Sequence, residues 1–380
     1  MLSKLHILLV VRNPVGGIRT FLRYVYCGAT TDKYKFTVIL PETQEFPATK
    51  QDFSKSDVSF QLLPRSPSAR QFISKINEVL RKGNIDIVHS QGLKSGAYAA
   101  LPAKFYKIPH LMTLHYIFVE NEFTGIKGFL QKLCIPIILL LPTSVHVVSK
   151  GANANLFRSF PILKYLKQGI VTIANGIDTK KFLTKNCANL KLELSLPQET
   201  FLIGYFGRFM PPKGFSYLVE AIALLLKRGA PRGIAVVTFG KDGYFERERR
   251  NIKAKGLEDF FHFLPYRADV APVLRGVDVV AMPSLWEACS LLAMEAMVAG
   301  VPLIGTDCVG LGENIKNTPH RIVRAGNAIE LSDALFDEMT CSTRTDCESF
   351  RKEAARRFDV RHPVTELQNV VRELCARKVS

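Results

Sequence analysis

The sequence predicts an α/β protein made of two doubly wound parallel sheets, and three observations carry that expectation. Short apolar runs of strand length alternate with amphipathic stretches of helix length, the pattern of a parallel sheet covered by helices. The rhythm restarts after the turn-rich "NGID" at Asn175 to Asp178, so the chain divides nearby. With 380 residues, 47% apolar and 22% charged, it has enough chain for two full cores and lacks the composition of a disordered or fibrous protein.

In the first half, "LHILLVV", "KFTVIL", "IDIVHS", "HLMTLH" and "VHVVS" read as strands, with helix-like segments such as 18–26 and 69–82 between some of them. The run from Leu5 to Val11 is closed by Arg12 and lacks a small-residue cleavage site, so it reads as a first strand rather than a signal peptide. Residues 133–148 carry no formal charge, yet the run is shorter than the roughly 18 to 20 residues a span needs and is broken by Pro136 and Pro142. It reads as a helix followed by a buried strand. In the second half, "LIGYFGRF" (202–209), a helix over 214–228, "IAVVTFG" (234–240), a charged helix near 246–255, "FFHFLP" (260–265), "VDVVAMPS" (277–284), an apolar helix and "VPLIGT" (301–306) repeat the pattern. The expected domains are 1–172 and 173–359. The last stretch, about 360–380, is amphipathic enough to pack back on either domain, with the first as the expected host.

The net charge of +17 is uneven. Residues 1–170 hold 22 Lys and Arg against 9 Asp and Glu, and the remainder holds 29 against 25. Nucleic acid, anionic lipid and a solvated basic face are all compatible with so basic a front half. The eight Cys are scattered, without a C-x-x-C pair, and read as reduced packing residues of a cytosolic protein.

Ligands of open parallel sheets bind outside the carboxyl ends of the strands, and two such sheets facing one another form a cleft. Gly16 and Gly17 follow the first strand and open a helix, which lets backbone N–H groups approach an anion, although a bare Gly-Gly also suits a tight turn. In "GYFGRFMPPKG", Arg208 leaves a strand, Lys213 follows five residues later and Gly214 starts a helix, a cradle suited to a diphosphate. His115 and His89 each end a strand and suit either a substrate hydroxyl or a loop carbonyl. From Ser290 to Ala299 the chain reads as a helix apolar on all faces and therefore buried, with Glu295 in its middle. A carboxylate there needs a specific partner. With Glu287 in the loop opened by Pro283 and Ser284, the two acids bracket one small polar object, or Glu295 pairs with a buried cation. No D-x-D, Walker, G-x-S-x-G or H-E-x-x-H motif occurs, so no metal or other cofactor is expected.

Taken together, "GGI", "NGID", "GRFMPPKG" and the E-x7-E pair followed by "AMVAGVPLIGT" resemble the retaining glycosyltransferases of GT-B fold, glycosyltransferase family 4, over essentially the whole chain. The resemblance implies two Rossmann-like domains facing across a cleft. It implies a UDP- or GDP-sugar donor, with Glu295 holding the ribose hydroxyls and Glu287 the transferred sugar. By the same likeness Arg208 and Lys213 hold the diphosphate, His115 lies over the anomeric centre, Gly16 and Gly17 close the site, and the base is read by backbone near Pro265 and Tyr266. The segment after Glu287 (Ala288, Cys289, Ser290, Leu291) completes the donor set. The family's chemistry is a front-face displacement in which the leaving phosphate takes the acceptor's proton, so the anomeric configuration is kept.

Departures from the pattern bear on the substrate. Ala288, Cys289 and Ser290 stand where the family usually has Gly-Phe-Gly, Gln91 stands where a second His is typical, and beyond Glu313 "NTPHRIVRAGNAIEL" replaces the usual glycine-rich stretch. Acceptor binding in the family falls to the N-terminal domain. In segment 104–132 here, Lys104, Lys107, Lys127 and Lys132 interleave with Tyr106, Tyr116, Phe118, Phe123 and Phe129, which suits an anionic membrane surface and a lipid-diphosphate acceptor. The resulting expectation is a metal-independent enzyme of surface polysaccharide, lipopolysaccharide or glycolipid synthesis, cytoplasmic and peripheral at the inner face of the plasma membrane, with a glycan or lipid-linked acceptor and no nucleic-acid partner. A GT-B sugar-nucleotide epimerase and a non-enzymatic basic nucleic-acid or membrane-binding module are the rivals.

Overall fold

The computed structural model describes residues 4–27, 33–119, 122–166, 169–239, 243–267 and 269–376. The chain forms two compact units, residues 1–175 with 360–380, and residues 176–359. The joint falls three residues later than the sequence suggests, because backbone N–H groups of Ile173 and Asn175 still bond to Val147 and Val148 of the first unit. Ile177 instead donates to the carbonyl of Phe358 and bridges Asp359, which ties it to the second.

The first unit holds seven strands: β1 (Leu5–Val11), β2 (Tyr34–Pro41), β3 (Asp57–Leu63), β4 (Ile87–Gln91), β5 (His110–Leu114), β6 (Ser144–Val147) and β7 (Ile170–Thr172). They form one parallel sheet in the order β3-β2-β1-β4-β5-β6-β7. β1 is buried on both faces, which is why it reads as an unbroken apolar run. Ile7, Leu9 and Val11 pack with Phe21 and Leu22, while Leu8 and Val10 pack with Phe72, Ile76 and Ala99. Leu367, Val371 and Leu374 of the last helix, Arg361–Ala376, complete the Ile7 side, so this helix belongs to the first core. The helix Ala69–Arg81 starts at a capping box in which Ser68 Oγ accepts from Gln71 N–H and Gln71 Oε1 accepts from Ser68 N–H.

The second unit holds β8 (Phe201–Tyr205), β9 (Ile234–Phe239), β10 (Phe261–Leu264), β11 (Val279–Met282), β12 (Leu303–Thr306) and β13 (Arg321–Val323), parallel in the order β10-β9-β8-β11-β12-β13. The helix Phe215–Arg228 covers one face through Leu218, Val219, Ile222 and Leu225. Among the described residues no helix is long and apolar enough to cross a membrane; residues 125–140 form the helix and β6 the buried strand expected of 133–148.

Candidate functional site

In the second sheet the chain runs outward from β8 to β9 and β10 on one side, and from β11 to β12 and β13 on the other. The direction reverses between β8 and β11, and the loops leaving such a switch point diverge and leave room for a ligand. After β8 the chain turns through Pro211–Lys213 to Gly214, whose φ of +67° is a left-handed conformation. A Cβ on Gly214 would sit 1.8 Å from the carbonyl oxygen of Pro283, so only glycine lets the two loops meet. Leu285 N–H donates to Pro212 O at 2.8 Å and locks them together.

That contact sets Lys213 against Glu287. Nζ lies 2.6 and 2.8 Å from the two carboxylate oxygens, and Ser284 Oγ donates to Oε1 at 2.9 Å. Glu287 is buried at 7% exposure, whereas Lys213 keeps access to solvent. The loop after β12 wraps the acid from the other side: Glu287 N–H bonds to Val309 O, Ser290 N–H bonds to Gly310 O, and Thr306 Oγ1 donates to Ser284 O. Gly310 has φ +76°, and a Cβ there would meet Glu287 O at 2.1 Å. Ser284, Thr306 and Gly310 escape a reading of the sequence because their partners are distant in the chain; the glycine in "CVGLG" is the single local signal.

The helix after this loop corrects one expectation. Leu291–Ala299 is not covered on all faces: Leu291, Leu292 and Glu295 lie partly open, while Ala293, Met294 and residues 296–299 are buried. Glu295 is therefore half-buried, and Glu287 is the deeper of the two acids. Ser290 caps the helix, its Oγ accepting from Ala293 N–H, and Ala288 and Cys289 are half-buried beside it. Arg208 is exposed, and its guanidinium makes no hydrogen bond or ion pair to the protein among the described residues; its carbonyl accepts from Tyr205 OH and Met210 N–H. Pro265 and Tyr266 follow β10 at the sheet edge, both exposed.

The first sheet has its own switch point, between β1 and β4. Gly16, at φ +54°, and Gly17 open the helix Gly16–Tyr26, and a Cβ on either would meet nothing within 4 Å. Phe21 of that helix packs edge-on against His115 at 4.9 Å between centroids. His115 Nε2 lies 2.9 Å from Oε1 of Gln91, a buried residue whose own Nε2 has no hydrogen-bond partner among the described residues. Part of His115 reaches the surface, yet burial of its ring, reinforced by His146, lowers its pKa to about 3. It is a neutral imidazole. His89 lies deeper against the same Phe21: fully buried, it bonds Tyr26 OH at 2.5 Å and Thr113 Oγ1 at 2.7 Å, and burial holds its pKa well below the usual value. It is a core residue. All eight Cys are free, and no group of three or more metal-ligating side chains occurs among the described residues.

Known proteins share this architecture. Residues 15–181 match the family described as Glycosyltransferase Family 4, and residues 200–339 match Glycosyl transferases group 1. A D-inositol 3-phosphate glycosyltransferase of Stackebrandtia nassauensis is 28% identical over 66% of this chain and 61% of its own length. An Escherichia coli UDP-Gal:alpha-D-GlcNAc-diphosphoundecaprenol alpha-1,3-galactosyltransferase is 25% identical over 60% of this chain and 62% of its own. The chain thus spans about three fifths of either relative. The structure of Anabaena HepE in complex with UDP-glucose superposes with a TM-score of 0.80 at 19% identity, covering 97% of this chain and 99% of that one.

Proposed function

Because the chain belongs to the GT-B glycosyltransferases, through its family 4 and group 1 domains, we propose that it transfers a sugar from a UDP- or GDP-sugar to a glycan or lipid-linked saccharide, retaining the anomeric configuration and using no metal. The observation that carries this reading is the convergence of Lys213, Glu287 and the Ser290-capped helix at the switch point of the second sheet.

In this reading Arg208 and Lys213 take the donor diphosphate. An exposed, unpaired guanidinium is free to fork onto two phosphate oxygens, and Lys213 adds a point charge beside it. These cations offset the charge that builds on the leaving phosphate, which is the main electrostatic demand of the reaction. Glu287, held by Lys213 and Ser284, presents its carboxylate to the hydroxyls of the transferred sugar. The backbone of Ala288, Cys289, Ser290 and Leu291 lines the same sugar, and Glu295 accepts from the ribose hydroxyls on the open helix face. Pro265 and Tyr266 read the base. Within the first unit, Gly16 and Gly17 present backbone amides with open space around them, and neutral His115 is suited to orient a substrate hydroxyl without adding charge. The leaving phosphate oxygen accepts the acceptor's proton on the face it departs from, so no separate general base is required.

HepE was solved with UDP-glucose, and the E. coli relative is named for UDP-Gal and a diphosphoundecaprenol-linked acceptor. The first supports a UDP-sugar donor and the second a UDP-sugar donor with a lipid-linked acceptor; in this reading the protein works peripherally at the inner membrane face, in glycolipid or surface polysaccharide synthesis. The test supplies radiolabelled UDP- and GDP-sugars and polyprenyl-diphosphate-linked saccharides in the presence of EDTA. Label should enter the lipid fraction in the linkage configuration of the donor. Inversion would overturn retention, a strict need for added Mg²⁺ would overturn the metal-free reading, and an epimerised sugar nucleotide would identify an epimerase.

A further inference from the structure

The helix Gly125–Leu140 touches its own unit along a narrow line of Gly128, Ile135 and Leu139. These positions, seven and eleven residues apart, lie on one side of a helix turning about 100° per residue. On roughly the opposite side, at i, i+3, i+4, i+7 and i+11, stand Ile126, Phe129, Leu130, Leu133 and Ile137, each between 53% and 82% exposed. A helix with one apolar stripe inward and a second outward is not fully partnered by its fold. Exposed apolar side chains continue on the neighbouring helices, with Phe105 at the end of Leu93–Phe105 and Tyr165 on Leu163–Leu166.

The charge around the stripe says what covers it. From Phe123 to Ile177 the chain carries six Lys and Arg and no Asp or Glu. Lys127 and Lys132 flank the stripe on the same helix, with Lys104 and Lys164 exposed on its neighbours. A protein partner of ordinary composition offers no reason for a rim whose charges, apart from Glu122 just ahead of the helix, are all basic, whereas an anionic bilayer presents negative headgroups at the rim and hydrocarbon beneath. The aromatic residues expected at this surface mostly turn inward: Phe118 is buried against Phe160, Tyr116 and Phe123 are half-buried, and of the aromatics between 106 and 132 Phe129 alone is exposed.

We propose that the outward stripe of Gly125–Leu140 is a membrane-docking surface that lies in the headgroup layer of an anionic bilayer, with Phe129 and Leu133 inserted and Lys127 and Lys132 on the phosphates. This deepens the peripheral-membrane part of the proposed function, and it rests on a surface separate from the donor residues.

Flotation of the purified full chain, without nucleotide, is measured on vesicles of phosphatidylcholine alone and mixed with phosphatidylglycerol. The wild type should float with the mixed vesicles and much less with neutral ones. F129E with L133E should reduce the floated fraction at least tenfold with an unchanged melting temperature, as expected of exposed sites, and K127E with K132E should remove the preference for anionic lipid. L192E, at an exposed site of the second unit, should float as wild type. Flotation of F129E with L133E at the wild-type level, or no flotation of the wild type, overturns the proposal. So does a wild-type dimer that the same pair dissociates, which would give the stripe to a second copy of the chain. Binding of UDP-glucose, titrated separately, bears on the donor site alone, so the two readings fail independently.

Discussion

Lys213 Nζ stands 2.6 and 2.8 Å from the two carboxylate oxygens of Glu287, a cation from the loop after β8 clasping an acid from the loop after β11. The pair is asymmetric, because Glu287 is buried while Lys213 reaches solvent. Lys213→Met leaves a buried carboxylate with Ser284 as its remaining side-chain donor and should cost about 2 kcal/mol in urea unfolding. Glu287→Gln frees an amine that water can take up and should cost less than about 1 kcal/mol. The opposite ranking would contradict this description of the pair.

Arg208 is exposed and unpaired, so its removal should not disturb the fold. Arg208→Ala should unfold within about 0.5 kcal/mol of wild type while turnover drops by about 10² to 10³. Wild-type kinetics would remove it from the diphosphate site.

The glycines separate folding from function. Gly214→Ala drives a Cβ into Pro283 O and should destabilise the second unit by at least about 3 kcal/mol. Gly17→Ala meets nothing in the protein and should leave stability within about 1 kcal/mol, yet under the proposed function lower turnover at least tenfold. Unchanged kinetics in folded Gly17→Ala would remove Gly17 from the proposed site.

Acid sensitivity follows from the buried histidines. Burial lowers the pKa of His89 well below its usual value, that of His115 to about 3 and that of His146 to about 4. Between those values and the unfolded value near 6.5 the unfolded chain binds more protons, so stability is full above about pH 6.5 and falls as the pH drops through that window. Melting temperatures from pH 7.5 down to 5 should decline accordingly, and His115→Asn should remove its share of the slope. A flat profile would mean that these rings bind protons as readily in the folded chain as in the unfolded one.

The interior strands are legible in the sequence because β1, β8 and β11 are buried on both faces and read as continuous apolar runs. β3 and β13 are not, since an edge strand such as "DVSFQLL" alternates with polar residues and β13 is three residues long. The residues of the site are legible through motif likeness, but their pairing is not: Lys213 and Glu287 lie 74 residues apart, and strand order alone brings them together. The depths of the two acids are inverted relative to the expectation because helical periodicity cannot show that neighbouring elements leave Leu291, Leu292 and Glu295 uncovered. Nor does composition distinguish Phe118, which fills the core, from Phe129, which leaves it.

The central claim is that the second unit binds a sugar nucleotide with Glu295 on its ribose, and isothermal titration of the full chain with UDP, GDP and their sugar conjugates, beside Glu295→Ala, tests it most directly. One nucleoside diphosphate and its sugars should bind the wild type in a single class of sites, and the variant should melt normally and bind none of them. Absence of binding by any sugar nucleotide, or equal affinity in Glu295→Ala, would contradict the account.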